Sequence, residues 1–286
     1  MMMPPIPMPI IPSDRQDDLH NLEFATGTKA DLVLFMAGNQ FMVMETLLTA
    51  FQQQHPHIRR IFYETLPPGL ELKQILAGGA LFKDEILSIL PDIYTSVNEK
   101  AMQTLEHHKM IDRGAYHLYL HNRIALMVPA GNPLGVNSVT DLGGANIRVS
   151  QPDPENEDIA YHIINMYRDA GGKVLVDRIM KEKHHEGTTL YTEVHHRETP
   201  DRIISGVVDV GPVWATEVIY AQDQGIAIDL VEIGEKYDQN QKINYYACQM
   251  NAAANRTNAD LFLAFITGTE AASIYRKFGF STHDGW

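Results

Sequence analysis

The chain has 286 residues, 44% hydrophobic and 21% charged, a globular composition with room for two α/β lobes or one large domain. Its 36 acidic residues outnumber 23 basic ones, for a formal net charge of −13. That balance weighs against nucleic acid or anionic lipid as partners, because both are bound through clustered Lys and Arg. The single cysteine, Cys248, allows no intramolecular disulfide and no cysteine metal cluster.

No stretch reaches the roughly 18–20 apolar residues of a membrane helix. The opening Met1-Met2-Met3-Pro4-Pro5-Ile6-Pro7 is broken by prolines and lacks basic residues, so it does not read as a secretion signal. Residues 1–29 read as an irregular tail. Strand and helix signals then alternate. Asp31 to Ala37 is a short apolar run, as in a strand buried on both faces, and Gly38-Asn39-Gln40 opens an amphipathic helix through Phe41, Met44, Leu47, Leu48 and Phe51. Ile58 to Glu64 reads as a second strand, and Thr65-Leu66-Pro67-Pro68-Gly69 as a turn before a helix from Leu70 to Leu76. Pro91 to Ser96 gives a third strand, with a helix from Asn98 to Lys109.

Arg123 to Val128 is a strong strand closed by Pro129-Ala130-Gly131-Asn132-Pro133. A second series follows: strand Ile147 to Ser150, a helix from about Asp158 to Ala170, the breaker Gly171-Gly172, a helix over Val174 to Lys183, and strand Thr189 to Val194. Thr199-Pro200 starts a helix, with a hydroxyl cap and proline at the first position. Val208 to Val213 is a strand, and Trp214 to Gln224 a helix. Strands Ile226 to Ile233 and Ile243 to Met250 and two last helices complete the chain. This alternation implies open, mostly parallel sheets. Cys248 falls in one of these apolar runs and reads as a buried thiol.

Several collinear segments resemble the molybdate- and tungstate-binding proteins of ABC importers. Leu34-Phe35-Met36-Ala37-Gly38 is similar to that family's first strand and turn. Phe51-Gln52-Gln53-Gln54-His55-Pro56-His57-Ile58 resembles its F-x-x-x-H-P-x-V segment, and Asn122 to Pro133 its N-R-L-x-L-V-V-P-x-G-N-P crossover. Asp141-Leu142, Gln151-Pro152-Asp153-Pro154, Gly206 to Glu217 and Phe278-Gly279-Phe280 follow in the family's order. The resemblance implies a type II periplasmic-binding fold, with two α/β lobes, two crossover strands and an interlobe ligand cleft that closes by a hinge. Lobe 1 would take residues 30–121 and 234–286, and lobe 2 residues 122–233. It further implies an extracytoplasmic, monomeric, non-catalytic protein that passes a small ligand to an importer permease, with no cofactor.

In such a cleft, helix N-termini hold an anion through unpaired N–H groups and the positive end of the dipole. Four turns suit this role: Gly38-Asn39-Gln40, Thr65 to Gly69, Asp153 to Asp158, and Trp214-Ala215-Thr216. The expected ligand residues are Gly38, Asn39, Gln40, Thr65, Gly69, Asp153, His195, Arg197, Trp214 and Thr216. Two departures stand out. The family's oxyanion sites use serine hydroxyls in the first two turns, which are missing here. Acids also crowd the turns (Glu64, Asp153, Glu155, Glu157, Asp158, Glu217), and any that faced inward would repel a dianion. The polar segment Tyr191 to Pro200 offers an alternative, in which Glu193, His195, His196 and Glu217 bind a metal ion or metal chelate. A ligand-sensing module on the same fold is a further alternative. Gly-x-Ser-x-Gly, Gly-Lys-Ser/Thr and His-Glu-x-x-His motifs are absent, so no enzyme is expected.

Overall fold

The computed structural model describes residues 6–26, 29–155, 157–192 and 198–282. The chain divides into two compact units, Met1–Leu120 with Asn244–Lys277 and Thr282–Trp286, and His121–Ile243 with Phe278–Ser281. Residues 234–243 thus fall in the second unit, where Ile124 N–H donates to the Asp238 carbonyl at 2.8 Å.

The first unit opens with β1 (Ile10–Ile11), β2 (Leu19–His20) and α1 (Glu23–Thr26). It continues through β3 (Leu32–Phe35), α2 (Phe41–Gln54), β4 (Ile61–Glu64), α3 (Pro68–Ala77), β5 (Ala80–Phe82), β6 (Glu85–Leu87), β7 (Ile93–Ser96), α4 (Glu99–His107) and β8 (Tyr116–His121). The second unit holds β9 (Ile124–Pro129), β10 (Val149–Gln151), α5 (Asp158–Asp177), α6 (Lys183–His185), β11 (Thr189–Tyr191), α7 (Glu198–Ile204), β12 (Gly211–Trp214), α8 (Ala215–Asp223) and β13 (Ile228–Val231). The chain then returns through β14 (Asn244–Gln249), α9 (Arg256–Ile266), α10 (Thr269–Lys277) and β15 (Ser281–Thr282).

In the first unit, a seven-stranded sheet runs β15-β8-β14-β7-β3-β4-β2. All four residues of β3 are buried, as an apolar run without polar alternation requires, and β3 lies parallel to both β4 and β7. Asp92 fixes this centre: its carboxylate accepts from Val33 N–H, Asn255 N–H and Asn255 Nδ2, each at 2.9 Å. On one side of the sheet Phe51 of α2 meets Phe262 of α9 edge to face, with ring centroids 5.1 Å apart.

The N-terminal segment departs from the irregular tail that its prolines suggest. β1 pairs in parallel with β5, and β2 pairs antiparallel to β4 with Leu19 opposite Glu64. Ile11 and Leu19 are buried in the first unit's core, so burial of these two side chains gives the segment its place.

In the second unit, β12 and β13 flank β9, both antiparallel to it. β10 pairs in parallel with β11, and a parallel bridge from Val149 to Val210 sets β10 beside the strand leading into β12. The Gly171-Gly172 breaker is a kink inside α5, with Gly172 at φ 67° and ψ −163°. Lys183 is fully buried, and its ammonium donates to the Gly144 carbonyl at 2.6 Å and to the Ile147 carbonyl. It thereby satisfies carbonyls beyond the short helix Val139–Gly143.

Candidate functional site

Each unit aligns three parallel strand ends along one edge of its sheet, and each strand leads into a helix. In the first unit these are β3 into α2, β4 into α3 and β7 into α4. In the second they are β10 into α5, β11 towards α7 and β12 into α8. Such carboxyl-terminal edges are where open α/β sheets bind ligands.

The first unit brings Gly38 and the turn after β4 into contact. A Cβ on Gly38 would lie 2.9 Å from the Thr65 carbonyl oxygen and 3.1 Å from that of Leu66. Next to it, Asn39 is buried, and its Nδ2 donates to the Tyr245 hydroxyl. The Asn39 side-chain oxygen has no hydrogen-bond partner among the described residues, so it presents an acceptor. Gln40 is tied to the sheet. Its Nε2 donates to Thr95 Oγ1 at 3.2 Å, and its Oε1 accepts from Tyr119 at 3.0 Å and Tyr275 at 3.1 Å. These bonds fasten the first turn to the sheet.

Thr65 is likewise engaged: its N–H donates to the Asp18 carbonyl at 2.9 Å and its hydroxyl to Asp18 Oδ1 at 3.5 Å. Gly69, in the first turn of α3, is exposed with open space at its Cβ position, so its backbone is the approachable part of this turn.

In the second unit Asp153 is half-buried and organises its own turn. Its Oδ1 accepts from Glu155 N–H at 2.9 Å, and its N–H donates to Thr192 Oγ1 at 3.2 Å. Trp214 is the residue before α8 and is 3% exposed. Its ring lies 6.2 Å from that of His162. Thr216 is fully buried with its hydroxyl accepting from Asn122 Nδ2 at 3.1 Å, which makes it another fastening residue. Glu217 is buried in the first turn of α8. Glu193, His195, His196 and Arg197 lie outside the described residues.

His162 is a residue the sequence reading does not single out. It sits one turn inside α5 and is buried, with Nδ1 unpartnered among the described residues. Burial, helped by the charge of Lys242, pushes it down to about 4, so the ring is neutral at physiological pH. The signal was available: His162 follows Asp158 by one helical turn and so lies over the N-terminus that the motif Gln151-Pro152-Asp153-Pro154 announces. Thr192 and Asn98 are also missed. Asn98 caps α4 by accepting from Ala101 N–H at 3.0 Å. A cavity of about 570 Å³ in the second unit is lined by Asp153, Thr192, Tyr191 and Arg202, among others. Arg202 is committed there to the Leu190 and Tyr191 carbonyls and to Glu198. Among the described residues, no three His, Cys, Asp or Glu side chains are placed to hold a metal ion. Nor is any helix among them long and apolar enough to cross a membrane.

The fold is that of the two-lobed type II periplasmic-binding proteins. The periplasmic molybdate-binding protein of Azotobacter vinelandii superposes with a TM-score of 0.69 at 18% identity, over 87% of this chain and 98% of that one. The sulfate-binding protein of Mycobacterium tuberculosis H37Rv gives 0.69 at 16% identity, over 88% and 86%. Iron-bound HitA of Pseudomonas aeruginosa gives 0.64 at 12% identity, over 89% and 87%. The chain belongs to the bacterial extracellular solute-binding protein family, whose profile matches residues 32–281. None of the curated proteins matches it. It is a solute-binding protein.

Proposed function

We propose that the protein captures one small solute through its strand-end turns and delivers it to an importer permease without altering it chemically. The observation that carries this reading is the alignment in each unit of three parallel strand ends, each leading into a helix. The proposed contacts are Gly38, Asn39, Gly69, Asp153 and Trp214, with His195 and Arg197 from the chain between β11 and α7. For the solute itself, an oxyanion such as molybdate or tungstate is the first reading. The approachable Gly69 backbone, the buried Trp214 ring and the neutral His162 ring all suit an anion held by uncharged groups.

A metal ion or metal chelate is the second reading, with Glu193, His195, His196 and Glu217 as its donors. It is favoured by the unpartnered Asn39 carbonyl and by Asp153, which offer acceptors where an oxyanion wants donors.

Thermal melting of metal-stripped protein against molybdate, tungstate, sulfate, phosphate, small carboxylates and metal ions tests both. A ligand at 100 times its Kd adds about 2.7 kcal/mol, enough for a shift of several degrees. A shift with one oxyanion, lost in Trp214→Ala, is the expected result. A shift with metal ions alone would replace the first reading by the second, and unchanged affinity in Trp214→Ala would remove the assignment of that residue.

A further inference from the structure

Beneath the turn after β4 lies a set of buried groups that solute contact does not explain. Glu64 ends β4, Glu71 lies in the first turn of α3 and Gln74 follows it by three residues, on the same helix face. All three are fully buried. Gln74 Nε2 points into the group and donates to Glu64 Oε2 at 3.4 Å. Glu64 Oε1, both carboxyl oxygens of Glu71 and Gln74 Oε1 have no hydrogen-bond partner among the described residues. The Leu66 N–H, which favours an ionised Glu71, does not reach hydrogen-bond geometry. The group therefore holds a surplus of acceptors over donors.

The charged and titratable groups facing it add no positive charge of their own. Asp18 approaches from the N-terminal segment, with its charge already matched by Arg15 at 3.4 Å. Tyr119 of β8 lies within the electrostatic reach of Glu71. Two ionised carboxylates cannot persist in such a place, because desolvation without a partner costs more than protonation. A bound metal would compensate them, but no trio of donors is placed for one among the described residues. A proton needs no such coordination shell. A carboxylic O–H supplies the missing donor, to the other carboxylate or to the Gln74 carbonyl.

We propose that Glu64 and Glu71 form a proton-binding pair that stays at least singly protonated at neutral pH, and that this proton holds the turn between them closed. The pair brackets Thr65 to Leu70, the turn that carries Gly69 and touches Gly38. Loss of the last proton places like charges at both ends of that turn, beside the Leu19–Glu64 pairing of β2 with β4. The turn and the N-terminal strand then loosen together, making the solute-facing edge of the first unit sensitive to alkaline pH. Burial raises both carboxyls well above their ordinary range. The Glu64 charge adds to this at Glu71, and that of Asp18 adds at both. The two titrate as one unit. The link to solute capture rests on the function proposed above, whereas the proton site itself does not.

The sign follows from linkage. A carboxyl raised in the folded state leaves stability intact below its unfolded value of about 4.3 and erodes it as pH rises towards the folded value. Each retained proton lowers the folding equilibrium constant about tenfold per pH unit in that window, or about 1.4 kcal/mol. Urea denaturation from pH 5 to 8 should therefore show Glu71→Gln, which cannot ionise, gaining on the parent by about tenfold per unit. Infrared spectra of the parent at pH 7 should contain the C=O stretch of a protonated carboxyl, lost in Glu64→Gln/Glu71→Gln. Protection of amides 65–77 from hydrogen exchange, corrected for the intrinsic rate, should fall with pH in the parent only. Parallel pH profiles together with no protonated-carboxyl band would overturn the proposal. If the variants do not fold, the infrared spectrum of the parent alone decides. None of these readouts uses a solute, so a solute screen that produces no shift would count against the proposed function and leave the proton site untouched.

Discussion

Gly38 and Gly69 lie in neighbouring turns, yet replacing each by alanine should move stability in opposite directions. At Gly38 the new methyl would meet the Thr65 oxygen at 2.9 Å, the Leu66 oxygen at 3.1 Å and the Leu66 carbonyl carbon at 3.3 Å. All three are backbone atoms, so no side chain can swing aside, and the two turns must separate by a few tenths of an ångström. Overpacking of this kind costs about 1–3 kcal/mol. At Gly69 no heavy atom lies within 4 Å of the added carbon. The residue is helical, so alanine there gains up to about 1 kcal/mol from reduced backbone freedom in the unfolded chain. The difference between the two variants should therefore be about 1–4 kcal/mol, read from urea midpoints at equal m-values. Exchange protection of α2 reports whether the loss falls in the first unit. If both alanines shifted stability in the same direction, or Gly38→Ala matched the parent, the contact between the turns would not be what requires glycine.

Gln40→Leu should cost about 1–3 kcal/mol, because it removes the acceptor that the buried hydroxyls of Tyr119 and Tyr275 share; denaturation measures the loss, and a variant as stable as the parent would refute the fastening role. Lys183→Met keeps the aliphatic stem but takes the donor from the Ile147 carbonyl and leaves the Gly144 carbonyl only the Ile147 N–H at 3.4 Å, with an expected loss of about 1–3 kcal/mol in the same assay. Burial pushes the Cys248 thiol up to about 12, so a thiol reagent at pH 8 should label it only in denaturant; rapid labelling of native protein would contradict its placement.

The strands that carry the site were legible because they are apolar runs with glycine or proline at their ends, as in β3, β7, β9 and β12. The β5–β6 hairpin was not. Its turn is made by Lys83 and Asp84 at φ 48° and 65°, without the Asn-Gly or Asp-Gly signal that marks such turns. β1 and β2 are two residues each, too short for any periodicity to show. In the site, the turn glycines could be read but the fate of the neighbouring amides could not. The tyrosines that engage Asn39 and Gln40 stand 79, 206 and 235 residues away in the chain. Local pattern fixes which residues occupy a turn, whereas tertiary pairing decides which of their polar atoms remain available.

The seven-stranded sheet ends on both sides in a two-residue strand, β15 at one margin and β2 at the other. Strands this short offer a foreign chain almost no ladder of free N–H and C=O groups to extend. Without β2, the four-residue β4 would be the margin, and it runs directly into the turn that carries Gly69. The N-terminal segment therefore also guards this sheet against strand-to-strand association.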